Sequence, residues 1–103
     1  GYAERSIELL KQALMIHKET NNQEGEADAL GALGNAYFAL GNNQQAIEFY
    51  DKGMKINQEI GNLDSEAVIT FMVAQIYAQE GNMAMALSHA QNAVRIWSST
   101  LLT

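Results

Sequence analysis

Two histidines, a dozen carboxylates and no cysteine are the raw material for chemistry in this chain of 103 residues. An imidazole ligates metal or shuttles protons only with partners at a set spacing. His17 and His89 stand far apart, and neither has a second histidine or a carboxylate at a ligand spacing; a His-Glu-x-x-His helix is absent. The pair reads as solvated or half-buried helix residues. Zero cysteine removes thiolate ligands, cysteine nucleophiles and disulfides together, and it points to a cytoplasmic location. No Gly-rich phosphate loop, EF-hand loop or serine elbow occurs. The residues predict a protein that is not an enzyme, with no metal site and no cofactor.

Charge narrows the partners. Twelve acidic side chains against six basic ones give a net charge of −6, which works against phosphate backbones and anionic lipid. No apolar run reaches the ~18 residues of a membrane helix, and no leader-type segment is visible. Nucleic acid and membrane are therefore not expected partners. The chain has no proline and 48% apolar residues, a composition for helix rather than disorder.

The elements that position these side chains are punctuated by glycine. Gly1, Gly41, Gly61 and Gly81 fall on a 20-residue grid, with Asn21 in the vacant slot. Gly, and next to it Asn, tolerates the left-handed conformation that ends helices. Alternate segments match, so the period is 40. Residues 21–60 and 61–100 share Asn22/Asn62, Glu26/Glu66, Ala27/Ala67, Tyr37/Tyr77, Gly41/Gly81, Asn42/Asn82, Ala46/Ala86 and Ile56/Ile96. Apolar residues at 27, 30, 33, 34, 37 and 40 recur at helical spacing, as they do in the later segments. The spacing predicts five helices near 2–19, 23–40, 43–60, 63–80 and 83–99, made antiparallel by very short loops. Small Gly34 and Ala74 are expected where a first helix approaches its partner, with Ala46 and Ala86 as the reciprocal positions. Ala13, Gly53 and Ala93 are expected to admit the next repeat's first helix.

The run Leu30-x-x-Leu33-Gly34-x-x-Tyr37, followed by Gly41, Ala46, Tyr50 and Gly53, resembles a tetratricopeptide repeat. A second copy keeps Tyr77, Gly81, Ala86 and Ala93. The 40-residue period is similar to that of kinesin-light-chain-like and bacterial signalling arrays. The resemblance implies an all-α fold, a right-handed α-α superhelix of five antiparallel helices. One domain spans 1–103: a half repeat 1–20, then repeats 21–60 and 61–103. First helices would line a concave groove and second helices the convex back. All six basic residues (Arg5, Lys11, Lys18, Lys52, Lys55, Arg95) lie on second helices, so the groove is expected to be neutral to acidic.

The same resemblance implies a non-catalytic module that binds a peptide or helix from another protein. Its groove floor would be the stripe Asp28, Gly31, Asn35, Phe38 and its counterpart Val68, Phe71, Gln75, Ala78. The expected peptide-binding residues are Asp28, Asn35, Phe38, Phe71 and Gln75, with Asn35 holding an extended peptide backbone. The expected ligand is neutral to basic and carries an apolar anchor; acidic C-terminal tails are excluded by the missing groove cations. The competing expectation is a structural segment of a longer array, or a self-associating scaffold. Ile7, Leu10 and Leu14 correspond to Ile47, Tyr50 and Met54, yet their complementary helix is missing, and Ile96 stands where a following repeat would pack. These four residues are expected to drive homo-oligomerisation through open repeat ends.

Overall fold

Every segment between the stopping residues is helical in the computed structural model, which describes residues 1–102; Thr103, the end of the expected second repeat, lies outside the described residues. The helices are α1 (Tyr2–Glu19), α2 (Gln23–Ala39), α3 (Asn43–Ile60), α4 (Leu63–Gln79) and α5 (Met83–Leu101), and the described residues contain no strand. No helix among them is long and apolar enough to cross a membrane. α2 and α4 each stop one residue earlier than the periodicity predicts, and α5 runs two residues further. No glycine or asparagine interrupts its last turn, where the Ser99 and Thr100 hydroxyls donate back to the Ile96 and Trp97 carbonyls.

The loops are built from one device used four times. Asn21, Gly41, Gly61 and Gly81 have φ of 54°, 78°, 74° and 81°, all left-handed. That turn lets the next residue's N–H reach back five positions: Asn22 to His17, Asn42 to Tyr37, Asn62 to Asn57 and Asn82 to Tyr77, each at 2.8–2.9 Å. The same asparagines then cap the following helix. Their carboxamide oxygens accept the backbone N–H of Gly25, Gln45, Ser65 and Met85 at 3.0–3.4 Å. One residue thus closes one helix and opens the next, which leaves no length for anything but an antiparallel reversal.

Packing follows chain order, α1 on α2, α2 on α3, α3 on α4 and α4 on α5. Within the α2/α3 pair the backbones come close through small residues. A Cβ placed on Gly34 would stand 2.5 Å from Cδ1 of Tyr50. One placed on Gly53 would meet the Ala27 carbonyl and Leu30 Cβ at 3.3 Å. Gly53 therefore admits α2, its own partner, and not the next repeat's first helix as expected: its face of α3 points back into the pair. Across the α3/α4 junction larger side chains fill a wider space. Ala46, Tyr50, Ile69, Val73 and Ile76 form a buried cluster, with Phe38, Ile47, Met54 and Met72 packed around it.

The two ends differ from expectation. Ile7 and Ile96 are buried, each only 9% exposed, while Leu10 and Leu14 are half-buried. The reason is that α1 lies along α2 and α5 along α4, so each end helix turns those residues toward the partner it has. Other apolar side chains remain exposed, among them Leu9, Met15 and Ile16 on α1 and Leu87 and Val94 on α5.

Candidate functional site

One cavity of about 420 Å³ lies on α5 alone, against Ser88, His89, Asn92 and Arg95; three others open between helices, and α2 joins two of them. The first, about 420 Å³, lies between α2, α3 and α4, with Asp28, Gly31 and Asn35 from α2, Tyr50 and Asn57 from α3, and Asp64, Val68, Ile69 and Met72 from α4. The second, about 580 Å³, lies between α1 and α2 and is lined by Leu10, His17, Glu24 and Gly25 among others. Asp28 and Ala32 line both, which makes them one groove crossing α2. The two are also related by the 40-residue step, which takes Leu10 to Tyr50, His17 to Asn57 and Glu24 to Asp64. The third cavity, about 280 Å³, is nearly all apolar and sits between α4 and α5, against Phe71, Gln75, Met83 and Leu87.

The five residues expected on one groove floor are thus divided. Asp28 and Asn35 are together in the first cavity. Phe71 and Gln75 lie in the third, where Phe71 packs tilted on Trp97 with ring centroids 6.1 Å apart. Phe38 faces neither; it is half-buried against the α3/α4 cluster. On α2 the stripe loses Phe38, and on α4 it is split, with Val68 in the first cavity and Phe71, Gln75 and Ala78 in the third. The larger side chains of the second copy, Phe71 for Gly31 and Met72 for Ala32, change what the stripe can enclose.

Asn35 is held by a hydrogen bond from the Tyr50 hydroxyl to its carboxamide oxygen. With that oxygen taken, the side chain has its two N–H donors to offer a ligand carbonyl. Burial holds the Tyr50 phenol above its usual range, so it remains a donor at neutral pH. No lysine or arginine lines any of the three cavities, and the carboxylates Glu24, Asp28 and Asp64 are exposed. The groove is therefore acidic on a partly apolar floor.

The histidines have structural surroundings. His89 is half-buried and stacks on Tyr77 at 5.4 Å, and Nδ1 of His17 lies 3.2 Å from the Asn22 carboxamide nitrogen. Glu66 is 8% exposed and accepts the Gln58 amide at 3.0 Å. Sequence reasoning missed Asn57 altogether. A polar residue at the position that His17 holds one repeat earlier is the signal that could have found it.

The family model described as the tetratricopeptide repeat matches residues 2–59, over half of the chain. No curated protein matches the chain, and no solved structure does.

Proposed function

The chain belongs to the tetratricopeptide repeat family, and from that premise we propose a non-catalytic interaction module that binds a peptide or helix of another protein in the groove across α2. The observation that carries this reading is the continuity of the two cavities through Asp28 and Ala32, a preformed trough that needs little ordering on the receptor side. Asn35 supplies donors to the ligand backbone. Phe71, Met83 and Leu87, in the apolar cavity between α4 and α5, receive an apolar anchor, and the exposed carboxylates favour neutral or basic partners over acidic ones. Phe71 and Gln75 form a separate, more apolar contact next to α5. The net charge of −6 supplies no counterion release to a nucleic acid. A cytoplasmic setting goes with this reading, supported by the absence of cysteine.

A peptide array tests it. Neutral and basic peptides with an apolar residue should be captured, the basic ones more weakly at high salt. Asn35→Ala should lower affinity while the helical circular dichroism is kept. Selective capture of Asp/Glu-rich peptides, or of RNA at moderate salt, would refute it.

A second reading, a segment of a longer array or a scaffold that associates with itself, is supported by the exposed Leu9, Met15 and Ile16 on α1 and Leu87 and Val94 on α5. Light scattering after size exclusion separates the two. Self-association predicts a mass above the 11.3 kDa of one chain, restored to it by Leu87→Glu or Ile16→Glu.

A further inference from the structure

We propose that the cavity between α2, α3 and α4 is an anchor pocket for one basic side chain of the bound peptide, an arginine guanidinium above all; the proposal rests on the peptide-binding reading above. Asn57 lines this cavity, is 2% exposed, and its Oδ1 is buried without a hydrogen-bond partner. A buried carboxamide oxygen left unpaired is costly, and only a hydrogen-bond donor relieves it. Asp28 and Asp64 line the same cavity, both exposed, with no lysine, arginine or histidine among its walls. The remaining wall is apolar, from Val68, Ile69 and Met72.

Each class of occupant can be weighed against that set. An anionic side chain meets two carboxylates and an acceptor, with no cation to hold it. An aliphatic one packs on the wall but leaves Asn57 unpaired and strips water from the carboxylates. A basic side chain answers these groups together: its methylenes lie along Val68 and Met72, its donors serve Asp28 and Asp64, and a flip of the Asn57 carboxamide brings the buried Oδ1 to the cavity to accept from it. Arginine suits this better than lysine. It carries five donors in a fixed fork, has no acceptor, and is the more weakly hydrated cation. The neighbouring α1/α2 cavity does not repeat the arrangement, because His17 takes the place of Asn57 and lies beside Asn22. One peptide position, not two, should show the preference.

The test is a positional-scanning nonapeptide library in which the fixed residue is Arg, Lys, citrulline, Leu or Glu, read by fluorescence polarisation on the full chain. At one position Arg should exceed its neutral isostere citrulline by tenfold or more, with Lys between them. Asn57→Leu, of similar volume, should keep or raise the thermal midpoint and cut the Arg preference to threefold or less. Asp64→Asn, at an exposed site, should cut it severalfold and flatten its salt dependence, so the pocket is still tested if Asn57→Leu fails to fold. Binding without an Arg preference overturns the pocket and leaves the peptide-binding reading standing. An Arg preference that survives Asp64→Asn and a folded Asn57→Leu also overturns it. No binding by any pool overturns both.

Discussion

Gly34→Ala tests the close approach of α2 and α3, and two opposing effects set its sign. Alanine in place of glycine inside a helix is worth about 0.8–1 kcal/mol in favour of folding. The new methyl would stand 2.5, 2.6 and 2.9 Å from Cδ1, Cε1 and Cγ of Tyr50, well inside contact distance and at the root of the ring, where rotation gives little relief. Tyr50 is 1% exposed, and its hydroxyl is tied to Asn35, one residue beyond Gly34. Moving the ring away disturbs that bond, worth about 1 kcal/mol, and opens the α3/α4 cluster. Overpacking of this kind costs about 1–3 kcal/mol, and since the disturbed hydrogen bond and the propensity gain roughly offset each other, Gly34→Ala should be net destabilising by about that amount. Gly31→Ala is the internal control. Its Cβ would meet nothing nearer than Cδ1 of Ile69 at 3.7 Å, so propensity alone acts and the variant should gain about 0.5–1 kcal/mol. Urea denaturation of the two variants and the parent, with slopes checked for equality, measures the difference. A Gly34→Ala protein as stable as Gly31→Ala would refute the close approach of α2 and α3.

The turn positions give a second prediction: Gly41→Ala and Gly81→Ala should each destabilise by about 1 kcal/mol or more, since a left-handed φ strains any Cβ. Asn21→Gly, at φ 54°, should be neutral or slightly stabilising by the same denaturation assay. A third concerns alkaline pH. The folded-state pKa of Tyr50 is raised by burial, so its contribution to stability is full below the unfolded value of about 10 and is lost as pH rises through the folded value. Denaturation midpoints should therefore fall more steeply above pH 10 in the parent than in Tyr50→Phe. Equal slopes would mean that the phenol is not desolvated.

Punctuation was legible because it is local. A left-handed turn requires Gly or Asn whatever surrounds it, so Asn21, Gly41, Gly61 and Gly81 could be read before any packing was known. The asparagines after them were visible too, but their second task, accepting an N–H from the next helix, shows only once the loop is seen to have no spare residue. Gly34 was legible by the same token, as a small residue on an apolar face. Facing was harder. Gly53 and Gly34 are both small, and periodicity cannot say which neighbour each admits. Phe38 and Phe71 were placed on one floor because they share a stripe, yet the floor is interrupted by the bulk of Phe71 and Met72 where the first copy has Gly31 and Ala32. Ile7 and Ile96 were expected to be open by counting missing partners; the surviving partner covers them, because a helix face wider than one contact can turn toward whatever is present. Asn57 escaped notice because its significance is an unsatisfied atom, a property of three-dimensional surroundings.

The contrast between the two kinds of helix contact has a mechanical consequence. Inside the α2/α3 pair, Gly34 and Gly53 let the main chains approach, and the side chains between them are rigid rings, Tyr50 against Gly34 and Tyr37 stacked on Phe49. Between α3 and α4 the separation is set by Tyr50, Ile69, Met54 and Met72, and methionines change rotamer cheaply. The array should thus behave as stiff two-helix blocks on a softer spacer, bending at α3/α4 under load. That spacer also walls the cavity holding Asn57. Curvature and cavity width are then a single elastic coordinate: tension along the array would alter the width of the cavity, and any occupant would stiffen the spring.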